Sequence, residues 1–305
     1  MYKECFSPEK KLEIAKKIKK ITLCDVELDF ADLVNIGENA GNISERCRIG
    51  NNVVDFFTFT ERLHTKGKYN CNYFEFISNL EEFKKKKFIK NMLKYYENVK
   101  NKNKTKNKYI VWKETYNICI SAINIFRPIF SMEVYTKYGS ERILDFCAGW
   151  GGRAIGACAL NREKYIGIDI NNSLRQPYLE MQKFLKNVSK TDVEMIFEDA
   201  LKVDYSKLDY DTAFTSPPYY FLEKYENNNE YKTKKEMNEY FYEPIFSITY
   251  KYLKIGGYYI LNINKEIYES VCINLFGPSH EKFTFKKSKR QNNYKEYVYV
   301  WHKTI

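Results

Sequence analysis

Between Arg142 and Asp199 short apolar runs alternate with helical stretches, and three of those runs end in a carboxylate. Arg142-Ile143-Leu144-Asp145 reads as a strand closing on Asp145, followed by the glycine-rich turn Phe146 to Arg153 and a small-residue helix from Ala154 to Leu160. Tyr165-Ile166-Gly167-Ile168-Asp169 is a second strand ending in acid, and Glu194-Met195-Ile196-Phe197-Glu198-Asp199 a third. Strands separated by helices return to the same edge of a parallel sheet, and ligands bind along that edge. The expected fold class is therefore α/β: a Rossmann-like, mostly parallel sheet. Phe283-Thr284-Phe285 against Tyr297-Val298-Tyr299-Val300-Trp301 would add an antiparallel C-terminal ribbon, its loop basic at Lys286, Lys287, Lys289 and Arg290. A smaller N-terminal accessory region precedes the sheet.

The next strand, Asp211-Thr212-Ala213-Phe214, stops abruptly at Thr215-Ser216-Pro217-Pro218-Tyr219-Tyr220. Two consecutive prolines fix φ and remove two donors, so their carbonyls and the Ser216 oxygen are expected to be rigid, unpaired acceptors. Tyr219 adds a flat aromatic face. Such a site suits a planar group carrying an N–H₂, held by its hydrogens and stacked on its face; an exocyclic amine of a nucleobase fits. At the glycine turn the backbone can approach a ligand closely, and the helix beginning there offers free N–H groups.

These two stretches resemble the S-adenosylmethionine-dependent DNA amino-methyltransferases, which methylate N4 of cytosine or N6 of adenine. Their first motif, Asp-Pro-Phe-x-Gly-Ser-Gly, is answered by Asp145 to Gly151, and their fourth, (Asp/Asn/Ser)-Pro-Pro-(Tyr/Phe/Trp), by Ser216 to Tyr219. The serine form looks most like the N4-cytosine enzymes, and the context is similar to phage and giant-virus methyltransferase-like proteins. The resemblance covers about residues 111–305. It departs at Phe146, where the family has proline, and at Trp150, where it has Ser or Thr. It implies S-adenosylmethionine as cofactor, bound along Asp145, Phe146, Cys147, Ala148, Gly149 and Gly151, with Asp169 on the ribose and Asp199 on the adenine amine. Ser216, Pro217, Pro218 and Tyr219 would be catalytic, Ser216 and the Pro217 carbonyl holding the amine while Tyr219 stacks on an extruded base. The implied function is a DNA methyltransferase, N4-cytosine favoured. The alternatives are an N6-adenine DNA or RNA enzyme, or a catalytically idle nucleic-acid-binding homologue.

One rival uses the same glycines. Gly149-x-Gly151-x-x-Ala154 meets a nicotinamide dinucleotide fingerprint with Asp169 near the ribose position, but explains neither Asp145 nor the Pro-Pro-Tyr loop. No Pro-Cys dipeptide occurs, which excludes the thiolate step of a cytosine-C5 enzyme. Eight cysteines without a C-x-x-C pair and three histidines argue against a zinc site and for reduced thiols. No apolar run is long enough for a membrane span or signal segment, so a cytoplasmic location is expected, or a nuclear or viral-factory one in a eukaryotic virus.

The N-terminal part is expected to span 1–110 and the methyltransferase domain 111–305, divided at Asn101-Lys102-Asn103-Lys104-Thr105-Lys106-Asn107-Lys108. Residues 1–110 hold 23 Lys and Arg against 15 Asp and Glu, and between Lys84 and Lys108 eleven lysines meet only Glu97. That run reads either as a phosphate-neutralising face or as a solvated, disordered linker. Pro8 to Lys20, Lys84 to Tyr96, Asn117 to Ile125 and Lys235 to Leu253 read as helical, the last kinked at Pro244. Arg46 to Gly50, Val53 to Phe57 and Tyr73 to Phe76 read as strand-like, with Arg46, Arg48, Asn51, Asn52 and Arg62 available to read bases. Glu223 and Tyr225 are expected to line the base pocket.

Overall fold

The computed structural model describes residues 2–43, 46–220, 231–284 and 296–304. Glu223, Tyr225, Phe285 and the basic loop residues Lys286, Lys287, Lys289 and Arg290 lie outside them.

A seven-stranded sheet organises the chain, in the order β3-β2-β1-β4-β5-β7-β6. β1 (Arg142–Asp145), β2 (Lys164–Ile168), β3 (Asp192–Ile196), β4 (Thr212–Thr215) and β5 (Tyr258–Asn264) are parallel. β6 (Glu281–Phe283) and β7 (Glu296–His302) complete it as the expected antiparallel ribbon. From β1 the chain builds outward to β3, then returns to lay β4 on the other flank of β1. The carboxyl ends of β1 and β4 therefore frame the topological switch point, where α/β sheets bind ligands.

Alternation along the central strands gives each face its own core. Ile143, Tyr165, Phe214 and Ile260 point one way, Leu144, Ile166, Ala213, Tyr259 and Leu261 the other.

The N-terminal part is helical: α1 (Pro8–Ile18), α2 (Leu23–Ile36), α3 (Asn51–His64), α4 (Tyr73–Ser78), α5 (Leu80–Lys84), α6 (Lys87–Asn98) and α7 (Lys108–Cys119). The strand-like readings of 53–57 and 73–76 are thereby corrected. In α3 the buried residues Val53, Val54, Thr58, Phe59, Arg62 and Leu63 recur at helical spacing, which overrides the β preference of their side chains. In α4, Asn72 accepts from Glu75 N at 2.8 Å while Glu75 returns the bond to Asn72 N, a capping box visible in the sequence as Asn-x-x-Glu. Residues 46–50 form no strand either.

The Lys/Asn run is an ordered connector between α6 and α7. Asn101 closes it by exchanging 2.9 Å hydrogen bonds with the backbone of Lys106, and Asn107 caps α7 through Tyr109 N. The helix expected over 117–125 thus starts earlier and ends at Cys119. Residues 121–127 have no regular structure, as the approach to Pro128 requires of Arg127.

α8 (Pro128–Tyr138), α9 (Gly152–Ala159) and α10 (Arg175–Val188) cover one face of the sheet, and Val26, Phe30, Leu33, Val53 and Val54 of α2 and α3 share their core. On the other face, α11 (Lys234–Met237), a π turn (Asn238–Tyr242) and α12 (Glu243–Tyr252) run together, Pro244 standing in the first turn of α12. Proline has no N–H to continue the ladder, hence the break. Among the described residues no helix is long and apolar enough to cross a membrane.

Candidate active site

β1 delivers Asp145 into the interior, where its carboxylate is fully buried and fully engaged. It accepts from Arg153 Nε at 2.6 Å, Tyr165 Oη at 2.6 Å and Thr215 Oγ1 at 2.7 Å, with Arg153 Nη2 at 3.2 Å and Cys147 N at 3.4 Å. Arg153 also donates to the Cys147 carbonyl, so one guanidinium spans both ends of the bend. Burial works against the Arg153 charge, but the Asp145 carboxylate, with Tyr165 and Tyr135 beside it, more than offsets that and raises its pKa.

The glycines divide by what surrounds them. Gly149 has φ +57°, and among the described residues a Cβ there would meet nothing nearer than the Cys147 carbonyl at 3.9 Å, so they leave this side of the bend open. Gly151 has φ +88°, and the space of its missing side chain belongs to Met181 of α10, whose Cε would lie 2.6 Å from a Cβ. A Cβ at Gly152 would collide with the Phe126 carbonyl. Gly151, expected to admit a cofactor, makes room for the protein itself. The side chains of Asp145, Phe146 and Ala148 are also turned inward; Phe146 lies in the opposite core against Phe246 and Tyr259. Cys147 is half-buried, its thiol pKa pushed well up by burial.

Asp169, just beyond β2, is partly exposed beside the open face of Gly149. It accepts from Gly149 N at 2.7 Å and Asn171 N at 2.9 Å. Burial pushes its pKa up to about 6 although both N–H groups oppose the shift. Asp199, beyond β3, caps a short turn through Leu201 N at 3.0 Å. Tyr178, which nothing in the sequence marks, donates to the Gly149 carbonyl at 3.0 Å and packs on Phe197.

β4 ends at Thr215, so the Thr215 bond to Asp145 joins the Ser-Pro-Pro-Tyr loop directly to the glycine turn. The two stretches share one edge, on adjacent parallel strands. Within the loop, Ser216 Oγ lies 3.1 Å from Tyr219 Oη and 3.1 Å from Asn262 Nδ2 of β5. Tyr219 Oη donates to the Asn262 carbonyl at 2.8 Å and accepts from Asn262 Nδ2 at 2.8 Å. The expectation that the Ser216 oxygen and both proline carbonyls are unpaired is corrected: Ser216 Oγ is engaged by Tyr219 and Asn262, and Tyr242, carried by the π turn, donates to the Pro218 carbonyl and accepts from Tyr220 N at 3.1 Å. Among the described residues nothing donates to the Pro217 carbonyl. Tyr220, at φ +46°, turns the chain in a conformation non-glycine residues rarely adopt.

Asn262 was legible as a lone polar residue in the apolar run Tyr258 to Ile263; Tyr242 carried no signal. Arg62, expected among the base readers, is buried in an ion pair with Asp55, because the spacing 55, 58, 62 puts it on the inner face of α3.

The sequence profile of a family described as RNA cap guanine-N2 methyltransferase matches residues 140–304, which hold every strand of the sheet. No curated protein sequence matches the chain. Solved structures with a similar fold include TrmN from Thermus thermophilus, 16% identical over 58% of this chain and 48% of that one, with a TM-score of 0.44. The matched part thus spans about half the length of TrmN. An rRNA methylase from Streptococcus thermophilus is 14% identical over 60% of this chain and all of that one (TM-score 0.40). The tRNA (m1A58) methyltransferase TrmI from Aquifex aeolicus is 13% identical over 60% and 71% (TM-score 0.40). The chain belongs to the RNA cap guanine-N2 methyltransferase family and is an S-adenosylmethionine-dependent methyltransferase.

Proposed function

We propose that the protein methylates an exocyclic amine of an RNA base, guanine N2 before others, with the amine received by Ser216-Pro217-Pro218-Tyr219. The observation that carries the reading is the Thr215–Asp145 hydrogen bond, which ties the residue before this loop to the residue before the glycine turn on adjacent parallel strands. The family description favours RNA and guanine. The serine of Ser-Pro-Pro-Tyr favours a second reading, cytosine N4 in DNA.

In this reading the cofactor lies on Gly149, with Asp169 on its ribose and Asp199 at its adenine; S-adenosylmethionine supplies an electrophilic methyl group. The open Gly149 face and the half-exposed Asp169 carboxylate fit such a ligand. Asp145, having no oxygen to spare, acts as a positioning residue. Ser216 Oγ and the Pro217 carbonyl accept the two amine hydrogens, which directs the nitrogen lone pair away from the loop and toward the glycine turn. Both acceptors also face the positive charge that grows on nitrogen as it is alkylated. The gain is orientation more than acid–base chemistry.

The outward face of α6 would hold the rest of the nucleic acid. Lys87, Lys90 and Lys94 are exposed with no ion pair among the described residues, beside the exposed rings of Phe88 and Tyr95. Lysines bind phosphates and aromatic faces stack on unpaired bases.

Tritiated methyl transfer to capped RNA, uncapped RNA, single-stranded DNA and duplex DNA, followed by nucleoside analysis, tests the reading. The expected product is N2-methylguanine in RNA. Label confined to DNA cytosine would establish the second reading instead.

A further inference from the structure

Ser216 faces a chemical ambiguity that an aspartate in its place would not. A hydroxyl both donates and accepts, yet an amine N–H needs an acceptor. Around Ser216 the protons can be counted. Tyr219 has one, and it is committed to the Asn262 carbonyl at 2.8 Å. Asn262 Nδ2 is a donor only, 3.1 Å from Ser216 Oγ and 2.8 Å from Tyr219 Oη. In the 3.1 Å contact between the two hydroxyls, the proton must therefore be that of Ser216. Ser216 Oγ then has its hydrogen directed to Tyr219, one lone pair taken by Asn262, and one lone pair left.

We infer that Asn262 and the Tyr219 hydroxyl lock Ser216 as an acceptor-only group. They give a serine the property that a carboxylate or a carboxamide carbonyl has intrinsically. Asn262 is buried at the centre of β5 and is a positioning residue, while the Tyr219 hydroxyl positions whatever its ring contacts. The lock also sets specificity. With Ser216 and the Pro217 carbonyl both presenting lone pairs, a ring edge offering N–H₂ is received, and one offering a keto oxygen meets two acceptors and is refused. This inference rests on the reading that Ser216 receives the target amine.

The test uses the full chain and whichever polymer takes label in the transfer assay. Ser216→Ala examines the underlying reading alone: undiminished turnover there would remove Ser216 from the reaction, and the lock with it. Tyr219→Phe keeps the ring but removes the acceptor for the Ser216 proton. It is expected to lower kcat about 10- to 100-fold, as for an amine hydrogen facing a misdirected donor, with S-adenosylmethionine affinity unchanged. Two replacements should rescue it. Ser216→Asn brings its own carbonyl acceptor, and Asn262→Asp brings a carboxylate to take the Ser216 proton. In either background Tyr219→Phe should cost less than about 3-fold, since the lock is no longer required. Rescue by at least one supports the inference. Wild-type turnover of Tyr219→Phe, or a loss that neither replacement relieves, overturns it.

Discussion

Thr215 donates its hydroxyl proton to Asp145 at 2.7 Å, across the boundary between β4 and β1. The last residue before the Ser-Pro-Pro-Tyr loop is thereby fastened to the last residue before the glycine turn. Because Asp145 is buried and also holds Arg153 and Tyr165, the two loops share one rigid anchor.

Thr215→Val keeps the shape of the side chain and leaves one Asp145 lone pair unpaired. It should cost about 1–3 kcal/mol of stability. Arg153→Met removes the counter-charge of the buried carboxylate and leaves it to the neutral donors Tyr165, Thr215 and Cys147 N, which should cost about 3–5 kcal/mol. Denaturant unfolding of the two variants measures both, and a smaller loss for Arg153→Met than for Thr215→Val would contradict the anchor.

The glycines should separate in their effects. Gly149→Ala meets only open space and a positive φ, so a strain of about 1–2 kcal/mol is expected together with a large loss of S-adenosylmethionine binding. Gly151→Ala adds a collision with Met181 and should lower the melting temperature more. Thermal melts with and without cofactor distinguish the cases, because ligand stabilisation should vanish first for Gly149→Ala.

Asp169 is an ionised acceptor only above its pKa of about 6. As pH falls through that value the carboxylate gains a proton, and an oxygen that accepted becomes a donor. Cofactor affinity measured by calorimetry should therefore weaken as the solution is taken from neutral or mildly alkaline pH to below that pKa. In Asp169→Asn, which has no charge to lose, the affinity should be lower on the alkaline side and flat across this range.

Replacing Lys87, Lys90 and Lys94 with glutamine should weaken binding of long RNA and flatten its salt dependence, by about 0.7 in log–log slope for each single-strand phosphate that is no longer neutralised. Methylation of a short capped oligonucleotide should change little. An unchanged salt slope would mean that α6 is merely a solvated face.

Much of this protein was readable before folding. Asp145, Asp169, Asp199 and Ser216 lie at strand ends because each follows an apolar run, and parallel strands bring such ends to one edge. The N-terminal helices were harder to read. Val53-Val54 and Tyr73-Phe74 carry β-favouring side chains, and only the spacing of their burial and the Asn72–Glu75 box reveal helices. Tyr242 was invisible, since its meeting with Pro218 depends on a π turn that no local pattern announces.

Local chemistry in the chain determined the strand–turn–helix order, the positions of the glycine bend and the Pro-Pro turn, and the class of ligand such stretches can hold. Only the tertiary structure decided which polar groups remain available. Asp145 is consumed by Arg153, Tyr165 and Thr215, and Gly151 by Met181, while among the described residues the faces of Gly149 and the Pro217 carbonyl are left over. A polar group is occupied by whichever neighbour arrives in three dimensions, and for Asp145 one such neighbour, Thr215, stands 70 residues away along the chain.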